Sequence, residues 1–296
     1  MKLTPELTTK DWNSEWKELQ KARRAADDAS HWDERAKTYH KASLPPSPYV
    51  TEFIEYAGIE DGDSVFDMGA GTGAVSIPLA ANGHEVLACD FSEGMLSVLR
   101  KEAEKNGIVV QTKLLSWADD WEKKGIAPKS FDVATASRSI ATADLRDSLS
   151  KLSGVAKRRC AITLPVGPSP RTDDAILKAI GMSSEVGHDF AYAFMILMEM
   201  GYLPEVRYIL SARHDTYDTE EEAYSSLERM VRDSARGTAS EDELSEALSK
   251  LREWLAGNLI SNPNAGKKDA YGETEGALRL KETRKATWAH IAWNVQ

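Results

Sequence analysis

The stretch Val65-Phe66-Asp67-Met68-Gly69-Ala70-Gly71-Thr72-Gly73-Ala74 places a carboxylate just ahead of three alternating glycines. The spacing G-x-G-x-x-A is one that rests a dinucleotide pyrophosphate on the first turn of a helix, with glycines where backbone must approach the ligand. Asp67 argues against that ligand, because a fixed negative charge beside a phosphate is repulsive. It suits a ligand that brings cations to the same place. S-adenosylmethionine (SAM) has no phosphate and carries a sulfonium and an α-ammonium group beside its carboxylate. Asp67 would then favour the ammonium, and the turn Gly69, Ala70, Gly71 and Gly73 would line the methionine end. Asp90 ends the next strand pattern, positioned to accept hydrogen bonds from both ribose hydroxyls.

Groups that could act on a methyl acceptor are few. Arg138, in Thr135-Ala136-Ser137-Arg138-Ser139 after a fourth strand pattern, could orient an anionic acceptor or the SAM carboxylate, or serve as a salt-bridged structural arginine. His188, Asp189 and Tyr192 open an apolar helical stretch where an acceptor pocket could lie, and an ordinary helix N-terminus explains His188 and Asp189 better than catalysis does. There is no Asn/Asp-Pro-Pro-Tyr after the fourth strand and no Pro-Cys nucleophile. Cys89 and Cys160 each sit inside an apolar strand pattern, so buried free thiols are expected and no metal site. His31, His40, His214 and His290 read as surface or packing residues. Trp12 and Trp16 read as a helix-packing stripe.

These residues need an alternating frame to hold them. Strands are expected at 64–68, 85–90, 108–115, 131–137 and 160–164, with helices between them, which predicts a parallel, doubly wound α/β sheet. Ahead of it, residues 10–29 and His31–Lys41 read as helices, and Ser47-Pro48 starts another that Gly58 closes. Lys157-Arg158-Arg159 directly follows a helical pattern and is expected at its C-terminal dipole. Beyond Pro165 come helices at 172–181 and 188–200 and a strand at 205–213. Two further helices begin with the capping boxes Thr219/Glu222 and Ser240/Glu243. A loop (256–273), a helical turn or two and a last strand near 286–295 complete the chain. The organisation expected is an N-terminal helical cap (1–47), an α/β core (48–213), a helical insertion (214–285) and a final core strand (286–296).

With 296 residues, 42% hydrophobic and 28% charged, the chain can bury a sizeable core. A net charge of -10 argues against a large nucleic-acid footprint. No run approaches the length of a membrane span and no signal peptide is visible, so a cytoplasmic location is expected.

The segments "DMGAGTGAVSIPLA" (67–80) and "DFSEGML" (90–96) resemble the cofactor signatures of class I SAM-dependent methyltransferases, over about residues 48–165. The resemblance implies a Rossmann-like sheet of seven strands with the last antiparallel, and SAM as donor with S-adenosylhomocysteine (SAH) as product. It implies Phe91 and Met95 on adenine and Ser116-Trp117-Ala118 at the adenine edge, although the superfamily often has an aspartate where Ser116 stands. Ser137, at the end of strand four, is grouped with the cofactor residues. "HWDERAKTY" is similar to an element of ubiquinone/menaquinone-biosynthesis-type enzymes, which makes Trp32, Arg35 and Tyr39 a candidate lid, with Tyr39 near the SAM carboxylate. The function implied is methyl transfer to a small molecule. A protein methyltransferase and a non-catalytic SAM-binding regulatory or assembly protein stay open, and an aminopropyltransferase and an NAD-dependent dehydrogenase fit less well.

Overall fold

Ser47 and Pro48 begin a helix for the reasons their types suggest. In the computed structural model the Ser47 side chain accepts from the Val50 N–H, Pro48 fills the first position, and Gly58 closes the helix at φ 65°. The structure describes residues 10–23, 29–36, 39, 42–167, 172–182, 187–213, 215–235, 239–269 and 274–295. Three helices precede the sheet: α1 (Trp12–Arg23), α2 (Ala29–Ala36) and α3 (Pro48–Ala57). The remainder of the two expected N-terminal helices, at 10–29 and 31–41, falls partly outside the described residues, as does His40.

The core then alternates through β1 (Val65–Met68), α4 (Ser76–Ala81), β2 (Val86–Asp90), α5 (Glu93–Lys105), β3 (Gln111–Leu114), β4 (Phe131–Ala136), α6 (Leu145–Val155) and β5 (Ala156–Val166). Next come α7 (Asp174–Ala179), α8 (Asp189–Glu199) and β6 (Glu205–Arg213), and the last long strand is β10 (Arg284–Asn294). Seven of these strands form one sheet in the order β3-β2-β1-β4-β5-β10-β6. β1 pairs parallel with β2 on one side and β4 on the other, so the strand order reverses beside β1 and opens a crevice at the carboxyl ends of these strands. The Val295 N–H donates to the Arg158 carbonyl, and the Arg159 guanidinium reaches Asn294. The end of β10 thus lies beside the start of β5, and the two run in opposite directions, as the resemblance implied.

β1 is buried throughout. Val65 joins Phe53, Tyr49, Leu79 and Trp288 in one cluster, while Phe66 packs on Trp121 and Phe131 with ring centroids 5.2 and 5.5 Å away. A side chain such as Phe53, fully buried, contributes about 1.5–3 kcal/mol by leaving water.

Two local expectations are corrected. Lys157-Arg158-Arg159 does not sit at the end of α6, because that helix passes into β5 with no loop and the triplet lies at the strand's start. The cations instead bind groups that the fold brings from elsewhere. Lys157 pairs with Asp132, Arg158 with Asp63 and the Gly58 carbonyl, and Arg159 with Glu205 and the Ala57 carbonyl. Arg158 and Arg159 therefore cap a helix C-terminus, that of α3 rather than α6. The second correction concerns 256–285, read as a loop and helical turns. There β8 (Leu259–Ser261) and β9 (Leu278–Leu280) form a small antiparallel sheet with the earlier β7 (Thr216–Tyr217), in the order β7-β9-β8. Strands of two or three residues are too short to show alternation.

The chain forms two compact units: residues 1–164, 189–209 and 288–296 in one, 165–188 and 210–287 in the other. Besides its sheet, the second unit holds α9 (Glu220–Ala235) and α10 (Glu241–Asn258), which bury Ala223, Leu227, Val231, Leu251 and Leu255 against Ile176, Leu177 and Leu280. Ser240 and Glu243 form the full capping box. Thr219 accepts from the Glu222 N–H, but Glu222 reaches back to the Asp218 N–H, so that box closes one residue earlier. His214 lies outside the described residues. Among the described residues no helix is long and apolar enough to cross a membrane.

Candidate methyl-donor site at the carboxyl ends of the strands

The glycine turn leaves β1 at the switch point, and its three glycines do different things. A Cβ on Gly69 would lie 2.2 Å from Ser139 Cβ, and one on Gly73 2.8 Å from Leu99 Cγ. These two let the turn pack against the loop after β4 and against α5. At Gly71 (φ 55°) a Cβ would meet nothing within 4 Å. Its open face is the cradle that a ligand needs. Ala70 is buried between them, and its N–H and that of Gly69 donate to the Cys89 carbonyl.

Asp90 lies across the turn at the end of β2, 5% exposed. Its carboxylate accepts from the Gly71 N–H at 2.8 Å and the Ser92 N–H at 2.9 Å, so one side chain fixes both loops of the cradle. Burial raises its pKa, against the backbone donors that lower it. A carboxylate oxygen accepts more than one hydrogen bond, which leaves capacity for a ribose hydroxyl.

Asp67 is placed differently from the expectation that it lines the cradle. It is 1% exposed and register-paired with Thr135, and its oxygens accept from Ser76 Oγ at 2.5 Å and Thr135 Oγ1 at 3.1 Å. Burial pushes its pKa to about 6 despite those hydroxyls. Both carboxylate oxygens are thus engaged by hydroxyls inside the core. Sequence spacing could not separate these positions, because the residue at a strand's end faces the ligand or the core according to the pleat.

The other residues expected at the cofactor lie at neighbouring strand ends. Ser116 opens a tight turn in which its N–H donates to Asp119, and the Trp117 indole donates to the Ser139 carbonyl. Ser139 Oγ in turn donates to the Met68 carbonyl. Phe91 is half-buried, and Met95 is buried in the first turn of α5, its N–H bound to Ser92 Oγ. Ser137 Oγ lies 3.0 Å from the Tyr49 hydroxyl, on the β5 side.

In the N-terminal segment Trp32, Arg35 and Tyr39 cluster, with Arg35 over both rings. Sequence reasoning missed Asp33 in the same motif. Its Oδ1 accepts from Ser92 Oγ at 2.6 Å and the Gly94 N–H at 2.9 Å, which hold its pKa below the usual carboxylate range. A Cβ on Gly94 would come within 2.9 Å of Asp33, and a glycine in a helix's first turn was the available signal for this close approach.

The acid–base candidates part company. Tyr192 is committed to α1: its hydroxyl donates to Glu15 at 2.7 Å, and its ring meets Trp12 and Trp16. Burial and Glu15 push its pKa to about 12. It keeps its proton at neutral pH, and helix packing accounts for it better than proton transfer does. His188 is exposed immediately before α8. Arg138 stands at the end of β4 in a left-handed conformation, φ 58°, with its guanidinium carbon 3.5 Å from the Tyr49 ring centroid. Cys89 and Cys160 are buried free thiols whose pKa burial raises.

The family model described as a methyltransferase domain matches residues 65–159, the segment from β1 to β5 that carries this whole cradle. The core is a class I SAM-dependent methyltransferase domain. SAM is its methyl donor, and the open face at Gly71 with Asp90 beside it fits that molecule. An uncharacterized protein of Haemophilus influenzae is 28% identical over 266 residues, covering 89% of this chain and 88% of its own. The demethylmenaquinone methyltransferase of Corynebacterium glutamicum is 30% identical over 113 residues, 38% of this chain and 45% of that enzyme. The YcgJ protein of Bacillus subtilis shares this fold at a TM-score of 0.50 and 15% identity, covering 83% of this chain and 97% of its own.

Proposed function

We propose that the protein moves the methyl group of SAM to a small-molecule acceptor by in-line displacement. The observation that carries this reading is the cradle at Gly71, open to a ligand and flanked by a buried Asp90. When bound, SAM supplies an electrophilic methyl: the acceptor's lone pair forms the new bond to carbon as the carbon–sulfur bond breaks and its electrons return to sulfur. The protein's part is positioning. Asp90 and the Gly71 turn hold the ribose and methionine portions, Trp117 closes the adenine side, and Asp67 stabilises positive charge from below. Rate then comes mainly from fixing the nucleophile behind the methyl. No paired general base emerges among the described candidates, which favours an acceptor that is already nucleophilic or loses its proton to water.

Isothermal titration with SAM and with SAH tests the donor side, and transfer of labelled methyl to a panel of small acceptors tests the reaction. Micromolar binding of both with transfer to small molecules is the expected result. Binding without transfer to any of them favours a protein acceptor or a SAM-dependent binding role instead.

A further inference from the structure

Arg138 has features that methyl-donor binding does not use. It is a non-glycine residue at φ 58°, a conformation that disfavours side chains and persists where the surroundings hold it. The holding group is visible: the Arg138 N–H donates to Thr163 Oγ1 at 3.0 Å. That same oxygen lies 2.7 Å from the Tyr49 hydroxyl, which also meets Ser137 Oγ. Tyr49 is 3% exposed and Thr163 fully buried, so the platform is rigid. The guanidinium stacks on the Tyr49 face and lies 5.0 Å from the Trp288 ring centroid. Arg138 itself is exposed, and no carboxylate of the described residues lies within ion-pairing distance. A cation fixed this way has little entropy left to lose on binding, and its planar fork remains open to an oxyanion.

Its direction selects the ligand. The donor cradle runs from the β1 turn toward Asp90 on β2. The Arg138 guanidinium lies the other way, toward Trp288 on β10, and β10 follows β4 and β5 in the sheet. Adjacent strands are about 4.8 Å apart, so the charge stands on the side of β1 opposite the ribose site. Ser139, the next residue, touches the glycine turn itself, which keeps the cation at the cleft.

We propose that Arg138, seated on Tyr49 and Trp288, is the receptor for an oxyanion on the methyl acceptor, so that the substrate is a small carboxylate or phosphate ester. This rests on the methyl-transfer reading above and specifies its acceptor.

The test is a labelled-methyl transfer screen in which each carboxylic acid or phosphate ester is paired with its neutral amide or alcohol analogue. The screen is run on the parent, Arg138→Met, Arg138→Lys and Arg138→Gly, the last suiting φ 58° so that loss of fold is not at issue. Transfer should favour an anionic member, with acids and phosphate esters separating the two sources of the oxyanion. Arg138→Met and Arg138→Gly should raise its KM at least about tenfold, the size of one charge-assisted hydrogen bond lost. The neutral analogue's KM should stay unchanged, Arg138→Lys should fall between, and SAH affinity should stay within about twofold. Transfer only to uncharged or cationic acceptors overturns the proposal. So does an Arg138→Met loss of SAH affinity with 5′-methylthioadenosine affinity kept, because the arginine would then hold the donor's own carboxylate. If SAH binds and nothing is methylated, the small-molecule reading fails by itself. Titration of the SAH complex with benzoate and phenyl phosphate then decides the arginine separately, absence of Arg138-dependent saturable binding counting against it.

Discussion

Asp90 carries two duties in one carboxylate. It accepts from the Gly71 and Ser92 N–H groups, and in the proposed function its remaining lone pairs go to the ribose. Asp90→Ala should therefore remove measurable SAM affinity and also lower stability by about 1–3 kcal/mol, since two backbone donors lose their partner. Titration and urea unfolding measure both; SAM affinity kept in the micromolar range would show that the ribose is held elsewhere. Asp67 is sealed in the core. Asp67→Asn keeps the shape but removes the charge, so SAM binding should weaken more than SAH binding, which lacks the sulfonium. Equal weakening of the two would place its effect on the ammonium or on packing alone.

At the scale of elements, a short helix is latched to the loop after β2. α2 has 8 residues, too few to be stable alone in water, and Asp33 binds it to the start of α5 through Ser92 and Gly94. Asp33→Ala should leave the sheet intact and release the helix. Amide exchange across 29–36 is expected to accelerate while exchange in β1 and β4 does not change, with SAM affinity reduced several-fold. Unaltered protection in 29–36 would mean that the Trp32, Arg35 and Tyr39 contacts suffice.

Across the whole molecule, two buried groups give opposite pH dependence. His290 is 1% exposed, its Nε2 has no partner among the described residues, and burial with Arg159 and Arg207 holds its pKa near 4. The unfolded chain takes up this proton below pH 6.5, so stability falls as pH drops from about 6.5 to 4. Asp67, raised to about 6, takes up its proton in the folded state first, so stability rises as pH falls from about 6 to 3.8. Each window is worth about 3 kcal/mol, and the two largely cancel. Relative to Asp67→Asn, the parent should gain stability on acidification from pH 7 to 4; relative to His290→Leu it should lose it. Parallel unfolding free energies across that range in either pair would refute the assigned shift.

Much of this molecule was legible in the chain. The alternation of strands and helices, the caps at Ser47 and Ser240, and the order Asp67, glycines, Asp90 are short-range signals, written by periodicity and by which residues satisfy a helix end. The sheet and the methyl-donor chemistry follow from them. Contacts between distant segments were decided only by the fold. Asp33 on Gly94, Tyr192 on Glu15, Arg158 and Arg159 on the end of α3, and Arg138 on Tyr49 each join residues far apart in sequence, where no spacing rule reaches. Asp67 shows the same limit at close range. Its charge was plain from its letter, but whether that charge faces the ligand or lies sealed beneath it depends on Thr135, which a parallel strand brings alongside from 68 residues away.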